Sequence, residues 1–141
     1  MVRTDLDMFI CDDFEFGYVH RTDINTFYIN VGVVYRLPDK DMAMFNINYS
    51  KLLYKLAKEK QKCYIAGDFN INFHNYESHV ETEYFLNNIF SYFQYPTITR
   101  PTRFCFTTST LIDNNVVNTI NDYYSGLLVS GLSDHFQVFF I

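Results

Sequence analysis

The sequence predicts an α/β fold, a mixed sheet flanked by helices. Three observations carry this expectation. Runs of β-branched and aromatic residues recur along the chain, two segments between them repeat apolar residues at helical spacing, and the final third breaks into short strand-like runs. With 141 residues, 48% hydrophobic and 19% charged, the chain can bury a core as one domain, residues 1–141, and is neither disordered nor a coiled coil.

The first 25 residues carry little pattern and scatter acids at Asp5, Asp7, Asp12, Asp13 and Glu15. Residues 26–35, TFYINVGVVY, are rich in strand formers and run out at Leu37-Pro38, which predicts a strand with a bend at Gly32. Asp39 or Asp41 then caps a helix. Its inner face is Phe45, Tyr49, Leu52, Leu53 and Leu56, and Lys51, Lys55, Lys58 and Lys60 lie outside. KCYIAG is apolar almost throughout, as a strand covered on both faces must be.

After the loop NINFHNYE, Ser78 and Glu81 have the spacing of a capping box. The helix they predict places Phe85, Ile89 and Phe93 four residues apart, with Leu86 and Phe90 beside them, and Pro96 marks its end. TITRPTRF then reads as a loop or irregular edge, STLIDNNVVN as a strand, INDYYSG as a turn and FQVFFI as a final strand. That strand runs to Ile141 without a polar tail, so the chain is expected to stop inside an element.

Composition narrows the classes of function. No apolar run is long enough to cross a bilayer, and acids interrupt the start where a secretory leader needs an apolar segment, so a soluble intracellular protein is expected. Cys11, Cys63 and Cys105 are odd in number and far apart, which suggests neither a disulfide framework nor a structural zinc site. A net charge of −5 argues against a basic nucleic-acid glove. It leaves room for a site in which a divalent cation supplies the positive charge and carboxylates hold it.

Three acids stand in apolar settings: Asp68 in AGDFN, Asp113 in TLIDN and Asp134 beside His135 in LSDHF. Each alone is more often structural, capping a turn, pairing with an arginine or lying solvated in a loop. Together they carry more. Asp113 is costly to bury without a partner, and an imidazole is a natural one. His135 is the histidine in a strand-flanking apolar context, whereas His20, His74 and His79 are expected in polar loops. A carboxylate orienting an imidazole, with further acids and an amide nearby, suits metal-assisted phosphodiester hydrolysis.

GVVYRLP (32–38), YIAGDFNINF (64–73), PTR (101–103), STLIDN (109–114) and SDHF (133–136) follow one another in an order that resembles the endonuclease/exonuclease/phosphatase superfamily. The likeness is strongest to the endonuclease domain of non-LTR retrotransposons, with Leu37 where that family usually has proline. The resemblance implies a two-sheet α/β sandwich of the deoxyribonuclease-like type. It also implies roles. Asp68 would align or deprotonate the attacking water, Asn70 would hold a phosphate oxygen, and Tyr35 would contact the phosphate. His135 would stabilise charge on the phosphoryl group, Asp113 would orient that imidazole, and Asp134 would contribute to the metal environment. Arg103, Thr110 and Arg100 would contact the DNA backbone, each with an equally weighted or stronger reading as an ordinary surface residue.

The implied cofactor is Mg2+ or Mn2+ and the implied partner is DNA, with a reverse transcriptase domain in a parent polyprotein and a nuclear location. No membrane partner and no small-molecule cofactor are expected. The family's early asparagine and metal-binding glutamate have no counterpart in DFEFG, so Glu15 is given no metal role, and the fold is expected to be incomplete on its N-terminal side, with an apolar sheet face exposed. Two alternatives stay open: a phosphoesterase of the same superfamily, against which the lack of any Trp counts, and a non-catalytic α/β remnant.

Overall fold

The computed structural model describes residues 3–11, 14–22, 28–121 and 123–141, with side chains from residue 29 onward. The weakly patterned start folds as two strands, β1 (Arg3–Cys11) and β2 (Phe14–Thr22), paired antiparallel. The weak pattern did not suggest them, and His20, expected in a polar loop, lies in β2. Leu6 and Met8 alternate with Asp5 and Asp7, the period-2 pattern of a strand, but the acids mask it in any average of hydrophobicity.

The predicted strand after it is β3 (Tyr28–Arg36), antiparallel to β2; residues 26 and 27 lie outside the described set. Asp41, rather than Asp39, caps α1 (Met42–Glu59) by accepting the Ala43 N–H at 2.9 Å. The helix buries the five apolar residues its spacing predicted. Lys60 does not continue the outer face. It is the C-cap, in the left-handed region at φ 53°.

β4 (Lys62–Asp68) returns parallel to β3, completing a strand–helix–strand crossover. A single 3-10 turn (Phe73–Asn75) leads to α2 (Val80–Ser91). The capping box does not form. His79 is the N-cap and its Nδ1 accepts the Thr82 N–H, while the Ser78 hydroxyl donates to the Asn75 carbonyl. Phe93 falls beyond the helix, at φ 58° and 71% exposed, so the apolar face ends at Ile89.

Pro96 lies in β5 (Tyr95–Pro96), a short edge strand on β8 (Asp113–Val117). The six-stranded sheet has the order β1-β2-β3-β4-β8-β5. Between β5 and β8 a hairpin of β6 (Arg103–Cys105) and β7 (Thr108–Thr110) projects, so STLIDNNVVN is two strands rather than one. β9 (Ser125–Leu128) and β10 (Gln137–Phe140) form a two-stranded sheet, and β10 lies against β8 and β4. Among the described residues no helix is long and apolar enough to cross a membrane.

Most of the described core lies between the large sheet and the two helices. Phe45, Tyr49, Phe69, Phe73 and Phe85 are buried with ring centroids 5.4–6.0 Å apart, in mixed stacked, tilted and edge-on contacts. Phe90, Phe93, Phe104, Phe106 and Phe139 stand exposed, so only part of the richness in Phe lies in this core. On β3 the burial alternates: Asn30, Val34 and Arg36 are buried, and Val31, Val33 and Tyr35 stand exposed on the other face. The expected open apolar face is present there.

Candidate active site

Strand register assembles the site. Asp68 closes β4 and Asp113 opens β8, and the two are direct antiparallel partners. On the other side of β4, Asp68 is level with Tyr35, which is level with Glu15. Asp68 and Asp113 therefore sit side by side at one end of adjacent strands, where a sheet presents functional groups from a rigid base.

Gly67 precedes Asp68 for a reason the sequence did not suggest. A glycine before a polar loop suggests a turn, yet Gly67 lies within β4, and a Cβ there would be 1.9 Å from the Val34 carbonyl oxygen. Close approach of β3 and β4 requires the glycine. The turn comes at Asn70, in the left-handed region at φ 48°, a conformation Asn tolerates better than most residues.

Three residues outside the sequence-derived set hold the site in place. Arg36 is buried and donates from Nε to the Phe69 carbonyl at 2.8 Å, from Nη2 to the Asn70 carbonyl at 2.8 Å and from Nη1 to the Lys40 carbonyl at 3.0 Å. Asn70 answers by donating from Nδ2 to the Arg36 carbonyl at 2.7 Å, and its N–H donates to the Asp68 carboxylate at 2.9 Å. Thr102 is fully buried; its Oγ1 accepts the N–H groups of Ile112 at 3.2 Å and Asp113 at 3.0 Å, and its carbonyl accepts the Phe136 N–H at 2.7 Å. Asn114, also buried, accepts the Thr97 and Ile98 N–H groups. Arg36 and Thr102 stand inside quoted motifs, YRLP and PTR, so a polar residue flanked by structural prolines was the available signal.

His135 arrives from the far end of the chain through a bridge to Arg103. Its Nδ1 is 3.0 and 3.2 Å from the two oxygens of Asp113, which places the proton on Nδ1 and leaves Nε2 with no partner among the described residues. Asp68, Asp113 and His135 together line a cavity of about 390 Å3 with Val33, Ser133 and Phe136. Burial holds the Asp68 carboxyl above its ordinary range, and the Asp113 carboxylate adds to the shift, while the Asn70 N–H, His135 and Arg103 oppose it.

The other expected residues are distributed around this centre. Tyr35 is on the open face of β3 and 45% exposed. Asp134 pairs with Arg103, Nε to carboxylate at 2.9 Å, at an exposed rim; that hydrogen bond lowers the carboxyl and raises the guanidinium from their ordinary values. Thr110 is level with Arg103 in the β6–β7 hairpin, and Arg100 is exposed. The structure thus brings Asp68, Asp113 and His135 together, puts Asn70 beside Asp68, and gives Asp134 to Arg103.

Ligand atoms of Asp68, Asp113 and His135 lie within 4.8 Å of one another. Two carboxylates are the donor type a hard divalent cation takes, and Mg2+ commonly fills its remaining positions with water and substrate phosphate. A cation there would also offset the Asp113 charge that adds to the burial-driven rise of Asp68. The donor set fits.

No protein-family profile and no curated protein sequence matches the chain. Solved structures do. The endonuclease domain of TRAS1, a telomere-specific non-LTR retrotransposon, superposes with a TM-score of 0.70 at 14% identity, over 97% of this chain and 68% of that one. An endonuclease/exonuclease/phosphatase family protein from Leptotrichia buccalis gives 0.62 at 14% identity, over 98% of this chain and 58% of that one. The 3′ phosphatase NExo from Neisseria, bound to a product DNA hairpin, gives 0.55 at 16% identity, over 86% of this chain and 62% of that one. The chain therefore has the deoxyribonuclease-like α/β fold of the endonuclease/exonuclease/phosphatase structures and spans between about half and two thirds of their length.

Proposed function

We propose that this chain is a divalent-metal-dependent phosphodiesterase domain that hydrolyses DNA, of the retrotransposon endonuclease type. The convergence of Asp68, Asp113 and His135 from three distant segments on one cavity supports it most directly. A divalent cation, held by Asp68 and Asp113, would supply positive charge to the phosphate oxygens.

The chain's own groups do the rest. Asp68, fixed at the end of β4 with the Asn70 N–H on its carboxylate at 2.9 Å, is placed to align the attacking water and accept its proton. His135, held by Asp113 through Nδ1–H, would in its doubly protonated form donate from Nε2 to the phosphoryl oxygen on which negative charge grows. Asn70 has a second amide hydrogen for a phosphate oxygen, and the Tyr35 hydroxyl reaches the phosphate from the neighbouring strand. Asp134 holds Arg103 at the rim and adds negative charge to the cation's surroundings. Arg103, Thr110 and Arg100 meet the DNA backbone.

Conversion of supercoiled plasmid to nicked circles in Mg2+ or Mn2+ tests the reading. Asp68→Asn and His135→Ala should each cost about 100-fold or more, the usual worth of positioned acid–base groups. Nicking by the wild type that both variants retain would refute it. The likeness to a 3′ phosphatase favours one other outcome, release of phosphate from 3′-phosphorylated DNA ends without plasmid nicking.

A further inference from the structure

A second cavity of about 520 Å3, larger than the catalytic one, is also lined by Phe136. Phe136 walls both cavities and directly follows His135 in the chain, so the two spaces are neighbours. Phe104 packs against Phe136 with ring centroids 4.9 Å apart and is still 44% exposed. Leu127 and Val129 complete an apolar lining, and the Ser125 hydroxyl stands at 2.6 Å from that of Thr97. Arg100 contributes a guanidinium that has no hydrogen-bond or ion-pair partner among the described residues. An aromatic wall, a few polar groups and one free cation in a space of this size make a pocket for a flat polar ring carrying a phosphate.

We propose that this cavity receives an unstacked nucleobase of the strand being cut, with Phe104 and Phe136 as its stacking wall and Arg100 on the adjoining phosphate. The inference rests on the DNA-hydrolysis reading and extends it. Two features of the molecule favour a base over another occupant. The cavity shares the Phe136 wall with the catalytic one, and a net charge of −5 leaves little affinity to be gained from phosphate neutralisation. Stacking supplies affinity without that charge, and it tolerates any base because each has a π face.

The test compares two labelled single strands of equal length and charge, ten thymidylates and ten abasic tetrahydrofuran units, by fluorescence anisotropy in Ca2+. The wild type should bind the thymidylate strand about tenfold more tightly. Phe104→Leu, which keeps an apolar wall without the ring, and Phe104→Ala should both erase that preference. Arg100→Gln should weaken both strands equally. Circular dichroism checks that each variant is folded, and the leucine variant guards against collapse of the alanine one. A wild type without preference, or a preference that survives in Phe104→Leu, overturns the subsite. If plasmid nicking still depends on Asp68 in that case, the subsite falls alone; a wild type that neither binds nor cuts DNA removes both.

Discussion

The chemistry of this chain depends on how individual polar groups are paired. Asp68 is the clearest case. Its carboxyl is raised because burial and the Asp113 charge disfavour the ionised form, so the folded state holds the proton more tightly than the unfolded chain does. Stability from this group is complete below its ordinary value of 3.8 and is lost as pH rises through the higher folded value. Asp68→Asn should therefore raise the melting temperature at pH 7 in the absence of divalent cation, with the gain shrinking toward pH 3.5. A gain that is constant across that range would contradict the linkage. Thr102 makes a second prediction. Thr102→Val leaves the buried N–H groups of Ile112 and Asp113 without an acceptor, which should cost about 2 kcal/mol or more in urea unfolding. Thr102→Ser should recover most of it, and nicking should follow the same order because Asp113 carries the imidazole.

Strands and their register set where these residues meet. Asp68 and Asp113 are brought side by side by the antiparallel pairing of β4 with β8, and a slip of one residue would turn one of them to the opposite face. The register on the β3 side depends on Gly67. Because a methyl group at that position meets Val34 backbone rather than a movable side chain, Gly67→Ala should destabilise the fold by about 3 kcal/mol and reduce nicking even in the folded fraction. Equal stability of the variant in denaturant titration would show that the strands can separate. Much of this scale was legible in advance. The apolar spacing of α1, the continuous apolar character of β4 and the polar turn after it follow from local preference. The N-cap of α2 was not legible, since Ser78 and His79 compete for one position and the choice depends on how the turn Phe73–Asn75 delivers the chain. Nor was β1, whose acids conceal its alternation.

At the scale of the whole molecule the dominant feature is asymmetry between the two faces of the large sheet. One face is closed by α1, α2 and the aromatic cluster, while β9 and β10 cover only part of the other. Val31 and Val33 remain 41% and 61% exposed, and Val33 lines the cavity of Asp68, Asp113 and His135. An open apolar face of this kind promotes association. Replacing both by threonine, which keeps strand preference, should lower light scattering and binding of an apolar dye at fixed concentration, with little change in unfolding midpoint. Unchanged scattering would mean that this face stays solvated in the folded protein.

Local chemistry in the chain determined which residues carry the groups the proposed phosphoryl chemistry needs and which segments could bury a core, because spacing and side-chain type act over a few residues. It could not determine their meeting. His135 reaches Asp113 only after β10 and the Arg103 bridge bring the end of the chain back to the rim of the sheet, and Arg36 and Thr102 become anchors only once carbonyls and N–H groups from distant segments surround them. Those contacts join residues tens of positions apart, so they exist only in the folded state, where burial leaves each polar group no partner but the one the tertiary structure supplies.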